Sequence, residues 1–201
     1  MKIIYKGRYE NEKQLPKGIL PPNAIKFKEP ETPEKLAEAA IWFLLPTAIL
    51  AALIVLGSFF LHGRLNAQFS VIYFLVGALL SLLTLFPHEL LHAVCFGKNA
   101  EVELYIMPKQ FMAFVCSVQP VTKMRFIFLS LLPNLIFGWI PLIIWALMPY
   151  TEIYSDILFS FSVMSVTHGI GDYLNVFNAS RQMPKGSMQQ LSGFNSYWFM
   201  P

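Results

Sequence analysis

The run FSVIYFLVGALLSLLTLFPHELLHAV, residues 69–94, carries no charge from Phe69 to Phe86 and passes without a turn signal into Pro87-His88-Glu89-Leu90-Leu91-His92. An uncharged stretch of this length reads as a membrane-crossing helix. Three titratable groups then sit on the last turns of a span, where an ionisable side chain costs about 2.5–3.5 kcal/mol to insert and usually marks a site. They need a shared partner.

On a helix, His88 and His92 are one turn apart on the same face and can offer two imidazole nitrogens to one ion, while Glu89 projects about 100° away. This is the HExxH pattern, in which two histidines ligate Zn²⁺ and the glutamate moves a proton between water and a leaving amine. Pro87 cannot donate to the Leu83 carbonyl, so a bend is expected just before the ligands.

A catalytic zinc needs a third protein ligand and an open position. The candidates lie in VTHGIGDYLN, residues 166–175, where His168 and Asp172 are again four apart. His88 lies 19 residues past Phe69, and Asp172 lies 19 past Ile153. If both runs enter from the same side, each residue reaches a depth of about 29 Å. A carboxylate would gain a partner in an apolar span, so Asp172 is preferred as the ligand. His168 is then a supporting or transition-state donor, and it remains the alternative ligand. Asn134, in LLPNL, is a candidate oxyanion donor, though an interhelical hydrogen bond is its commoner role.

Composition supports the membrane reading: of 201 residues 55% are hydrophobic and 13% charged, with a net charge of +3. No basic stripe with interleaved aromatics is present, so nucleic acid is not an expected partner. Cys95 and Cys116 are too few for a disulfide scaffold and are expected to be free thiols. The polar start lacks the pattern of a signal peptide. His62 is expected to be interfacial.

The expected architecture is an all-α membrane protein with about four transmembrane helices, over 39–61, 69 through the histidine motif, 126–148 and 153–173. A small β-hairpin over 101–118 is expected at the cytosolic face between spans two and three. Residues 1–38 form a cytosolic or interfacial arm, 39–174 the transmembrane domain and 175–201 a cytosolic tail. Alternating sides divides the positive residues 14 against 1, with Arg64 alone on the outside. The positive-inside rule then puts both termini in the cytosol.

With HELLH at the inner end of one span, a strand-rich segment after it and HGIGD on the last, the chain resembles the family of putative zincin peptidases. These are multi-span bacterial membrane proteins similar in plan to the site-2 intramembrane metalloproteases. The resemblance covers roughly Pro21 to Trp198 and rests on His88, Glu89, His92, His168, Gly171 and Asp172. It implies a zinc-dependent peptidase of a bacterial plasma membrane, acting on a membrane-associated peptide or protein, with the hairpin pairing to an unwound substrate strand. IGDYLN and LLPN stand where site-2 proteases carry Leu-Asp-Gly and Gly-Pro motifs. Oligomeric state is not read from the sequence. The competing expectation is a non-hydrolytic membrane scaffold or regulator with a structural zinc site.

Overall fold

The computed structural model describes residues 1–62, 69–108 and 112–201; Arg64 and Lys109, counted for orientation above, lie outside the described residues. The chain runs β1 (Lys2–Arg8), β2 (Ile25–Lys26), α1 (Pro33–Ile41), α2 (Leu44–His62), α3 (Val71–Leu83) and α4 (Leu85–Val94). It continues through β3 (Glu101–Met107), β4 (Met112–Cys116), β5 (Val121–Thr122), α5 (Lys123–Asn134), a π-helical turn (Leu135–Trp139) and α6 (Ile140–Leu147). It closes with α7 (Glu152–His168), α8 (Ile170–Gln182), β6 (Met188–Ser192) and β7 (Asn195–Phe199).

Three helical stretches are long and apolar enough to cross a membrane: Glu34–His62, Val71–Val94 and Lys123–Leu147. Each has an internal interruption, and in the second and third a proline is the local cause. Thr32 caps α1 by accepting from the Lys35 amide, with proline at the first helical position, and α1 passes into α2 through Trp42 and Phe43. α3 gives way to α4 at Thr84, next to the Leu83 carbonyl that Pro87 cannot serve. The π turn lies between Pro133 and Pro141, where missing amides and ring clashes force the ladder to reset.

The fourth expected span corresponds to α7, a helix of 17 residues. It packs against α2, α3, α5, the π turn and α6, and it buries Ser155, Asp156, Ser160, Ser162 and Ser165. Enclosed by protein, α7 can be polar where a lipid-facing helix cannot. The lipid-type surface falls instead on α2 and α3, where Leu53, Phe60, Ile72 and Leu79 are exposed.

Glycine sets the closest helix approach. A Cβ on Gly77 of α3 would stand 2.1 Å from Ser160 Oγ and 2.2 Å from the Ile157 carbonyl oxygen of α7. Because one of those atoms is backbone, Gly77→Ala must separate the helices. A loss of about 1–3 kcal/mol is expected, read as a lower unfolding temperature in detergent; an unchanged midpoint would contradict this packing.

The fold is not all-α: among the described residues, seven strands form two sheets. β3 and β4 pair antiparallel across the expected hairpin segment, and β1 adds parallel to β3, giving the order β1-β3-β4. The second sheet has the order β2-β7-β6-β5, so the N-terminal arm and the C-terminal tail pair with each other. Part of the expected arm is thus a strand: β1 is mostly exposed and lacks alternation, and it pairs with a strand far along the chain. A core of Phe27, Ala93, Phe96, Val102, Val121, Phe126, Leu129, Ala179 and Met183 ties both sheets to α4, α5 and α8. That core fixes the mutual position of the helices that carry the polar site.

Candidate metal centre

α4 presents His88 and His92 from one face, and α8 presents Asp172 from its first turn. His88 Nε2 lies 3.0 Å from Asp172 Oδ2, and His92 Nε2 lies 3.3 Å from Asp172 Oδ1. The two residues expected at equal depth therefore meet. Together the three side chains form a group able to hold a metal ion, with ligand atoms all within 4.8 Å of one another. A tetrahedral zinc with bonds of 2.0–2.2 Å separates its ligand atoms by about 3.3–3.6 Å. The two contacts are close to such edges, and two imidazoles with one carboxylate are a zinc donor set, so the residues fit the ion.

The tautomer of His92 follows from the backbone. Pro133 lies four residues after Leu129 and has no N–H, so the Leu129 carbonyl loses its helical donor. It accepts instead from His92 Nδ1 at 2.7 Å, which leaves Nε2 with its lone pair toward the centre. This support was missed from the sequence, although LSLLPN carries the signal.

Asp172 is held in a comparable way. Asn134 Nδ2 donates to Asp172 Oδ2 at 2.7 Å and to the Ser130 carbonyl at 3.3 Å. Asn134, a candidate oxyanion donor, thus has its amide engaged, once across to Asp172 of α8 and once on its own helix at Ser130. Gly169 makes the approach possible, since a Cβ there would stand 1.6 Å from Asn134 Oδ1.

That contact also corrects one expectation: His168 and Asp172 do not share the face of one helix. α7 ends at His168 and α8 begins at Ile170, with Gly169 as the joint. His168 is outside the metal-capable group. Its Nδ1 and Asn134 Oδ1 are shielded from solvent and have no hydrogen-bond partner among the described residues.

Glu89 points toward β4, where its Oε2 accepts the Val115 amide at 3.1 Å. β4 is an edge strand, so this contact brings an unpaired sheet edge beside the histidine turn. Side chains alternate along the ladder, and so do amides; Ala113 directs its backbone groups to the same edge as Val115.

Neither cysteine belongs to the centre. Both are free, and burial beside Glu103 pushes the Cys116 thiol up to about 12, which removes it as a nucleophile at neutral pH. His62 lies exposed at the end of α2 and is not a member of the group.

Residues 81–188, more than half of the chain, match the model of a family described as putative zincin peptidase. Comparison with curated proteins and with solved structures gave no match.

Proposed function

The chain belongs to the family of putative zincin peptidases, and from that premise we propose that it is a membrane-embedded zinc metallopeptidase. It would hydrolyse a peptide bond of a membrane-associated substrate near the cytosolic face. The observation that carries the reading is the meeting of His88, His92 and Asp172 within 4.8 Å, with Glu89 on the intervening turn.

When bound, zinc would acidify a water molecule and polarise the scissile carbonyl. Glu89 would take a proton from that water through Oε1 while Val115 holds Oε2, and would then pass it to the leaving amine. His92, fixed by Leu129, and Asp172, fixed by Asn134, would hold the ion without rearrangement. His168 would donate to the developing oxyanion from its place just before Gly169. The edge of β4, free at Ala113 and at the Val115 carbonyl but not at the Val115 amide that Glu89 occupies, suits an extended substrate segment adding as a strand. A membrane helix would have to unwind to reach it.

We further propose four spans, with α7 as the enclosed fourth, both termini and both sheets on the cytosolic side, and the bacterial plasma membrane as the location. The positive residues described support that orientation. The arm of residues 1–38 and the tail from 175 would then form one cytosolic cap with the hairpin.

Metal analysis of detergent-purified protein under non-chelating conditions tests the centre. Wild type is expected to hold about one zinc per chain, and a His88→Ala/His92→Ala variant none. A wild type without zinc overturns the proposal; zinc retained with no cleavage of any membrane peptide favours the scaffold or regulator instead.

A further inference from the structure

α5 begins against a local rule. Its first turn carries Lys123 and Arg125 and no acidic residue, although a helix N-terminus carries partial positive charge and disfavours cations. Such a violation calls for a compensating contact. Thr122 caps the helix by accepting the Arg125 amide, so the cations are not needed for capping.

Both side chains turn away from α5 to the C-termini of other helices. Arg125 Nε donates to the Cys95 carbonyl at 2.6 Å, at the C-cap of α4. Lys123 Nζ donates to the Met183 carbonyl at 2.6 Å and the Ser180 carbonyl at 3.2 Å, at the end of α8. These are the two helices that carry the metal-capable group. The cations stand at the correct end of each dipole, where orphan carbonyls need donors. Gly97, with φ +104°, lets the chain after α4 close over the guanidinium: a Cβ there would stand 3.1 Å from Arg125 Nη2.

The same helix, α5, supplies Leu129 to His92 and Asn134 to Asp172. We infer that Lys123 and Arg125 are positioning residues for the metal ligands, and that α5 sets the spacing between α4 and α8 from both its ends. Arg125 has the larger part, because Cys95 is three residues from His92, whereas Lys123 acts on the far end of α8 from Asp172. This inference rests on the zinc reading above.

Charge and geometry predict opposite signs. Removing a cation near a Zn²⁺ site strengthens binding by electrostatics alone, so any loss must come from displaced ligands. The test is competition titration of zinc into full-length protein in detergent, with the visible spectrum of the Co²⁺-loaded form as a second readout. Arg125→Met is expected to weaken zinc binding about tenfold and to change the Co²⁺ spectrum. Arg125→Lys should recover part of the affinity, and Lys123→Met should lose about threefold, within the range of a helix-end charge.

Tyr105→Phe is the stability control. It removes part-buried hydrogen bonds to the Gln14 carbonyl and to Glu103 in a separate core, and it should lower the unfolding temperature with no change in zinc affinity. Arg125→Met with unchanged or tighter zinc binding and an unaltered spectrum overturns the inference. So does Tyr105→Phe weakening zinc equally, since the effect would then follow stability. Wild type that binds no zinc overturns the underlying reading instead.

Discussion

Glu89→Gln is expected to abolish peptide hydrolysis while leaving about one zinc per chain. The substitution keeps the shape and keeps an oxygen to accept the Val115 amide, so α4 and β4 stay in place. It removes the carboxylate proposed to take a proton from water and return it to the amine. General acid–base groups contribute about 10²–10⁴ in rate, and here one residue serves in both directions, so the upper end applies. The measurement is cleavage of a fluorogenic peptide library by detergent-solubilised and liposome-reconstituted protein, with zinc content determined on the same samples. Hydrolysis at the wild-type rate would remove Glu89 from the mechanism. Zinc lost together with activity would assign Glu89 to the integrity of the site.

The metal-capable group of His88, His92 and Asp172 was legible because helix geometry converts sequence spacing into depth. His88 and Asp172 lie equally far along two runs, and they meet at 3.0 Å. What could not be read was anything set by contacts between distant segments. β1 pairs with β3, with Lys2 opposite Glu101, and nothing local in KIIYKGR announces that parallel partner. The break at Gly169 was hidden for a similar reason: HGIGD fits one helix until Asn134 of α5 occupies the space a side chain there would need. α7 shows the limit of hydropathy, since its buried serines are compatible with an enclosed helix and uninformative about where it lies. The Leu129 carbonyl is the instructive miss. A proline at position 133 frees it by covalent structure alone, and a freed carbonyl beside a histidine motif is a readable support.

Asp172→Asn and His168→Ala separate the two candidates for the third ligand. Asp172 touches both histidines through its two oxygens, so replacing it removes the one carboxylate of the metal-capable group and leaves two imidazoles to hold a dication among buried groups. Changing only a supporting group around a metal costs about 10–100-fold in affinity. Losing a ligand and its charge is expected to exceed that range, so Asp172→Asn should weaken zinc binding more than a hundredfold. His168→Ala should leave zinc affinity within about threefold and lower the cleavage rate by about 10², the scale of one donor to a developing oxyanion. Competition titration and single-turnover cleavage on the two variants provide the comparison. The reverse pattern, with zinc lost from His168→Ala and kept in Asp172→Asn, would make His168 the ligand. It would also require the α7–α8 joint to rearrange on binding, because Gly169 now lies against Asn134 while Asn134 holds Asp172 between the histidines. The arrangement favours the carboxylate for that reason: Asp172 meets both imidazoles from a position its neighbours already fix.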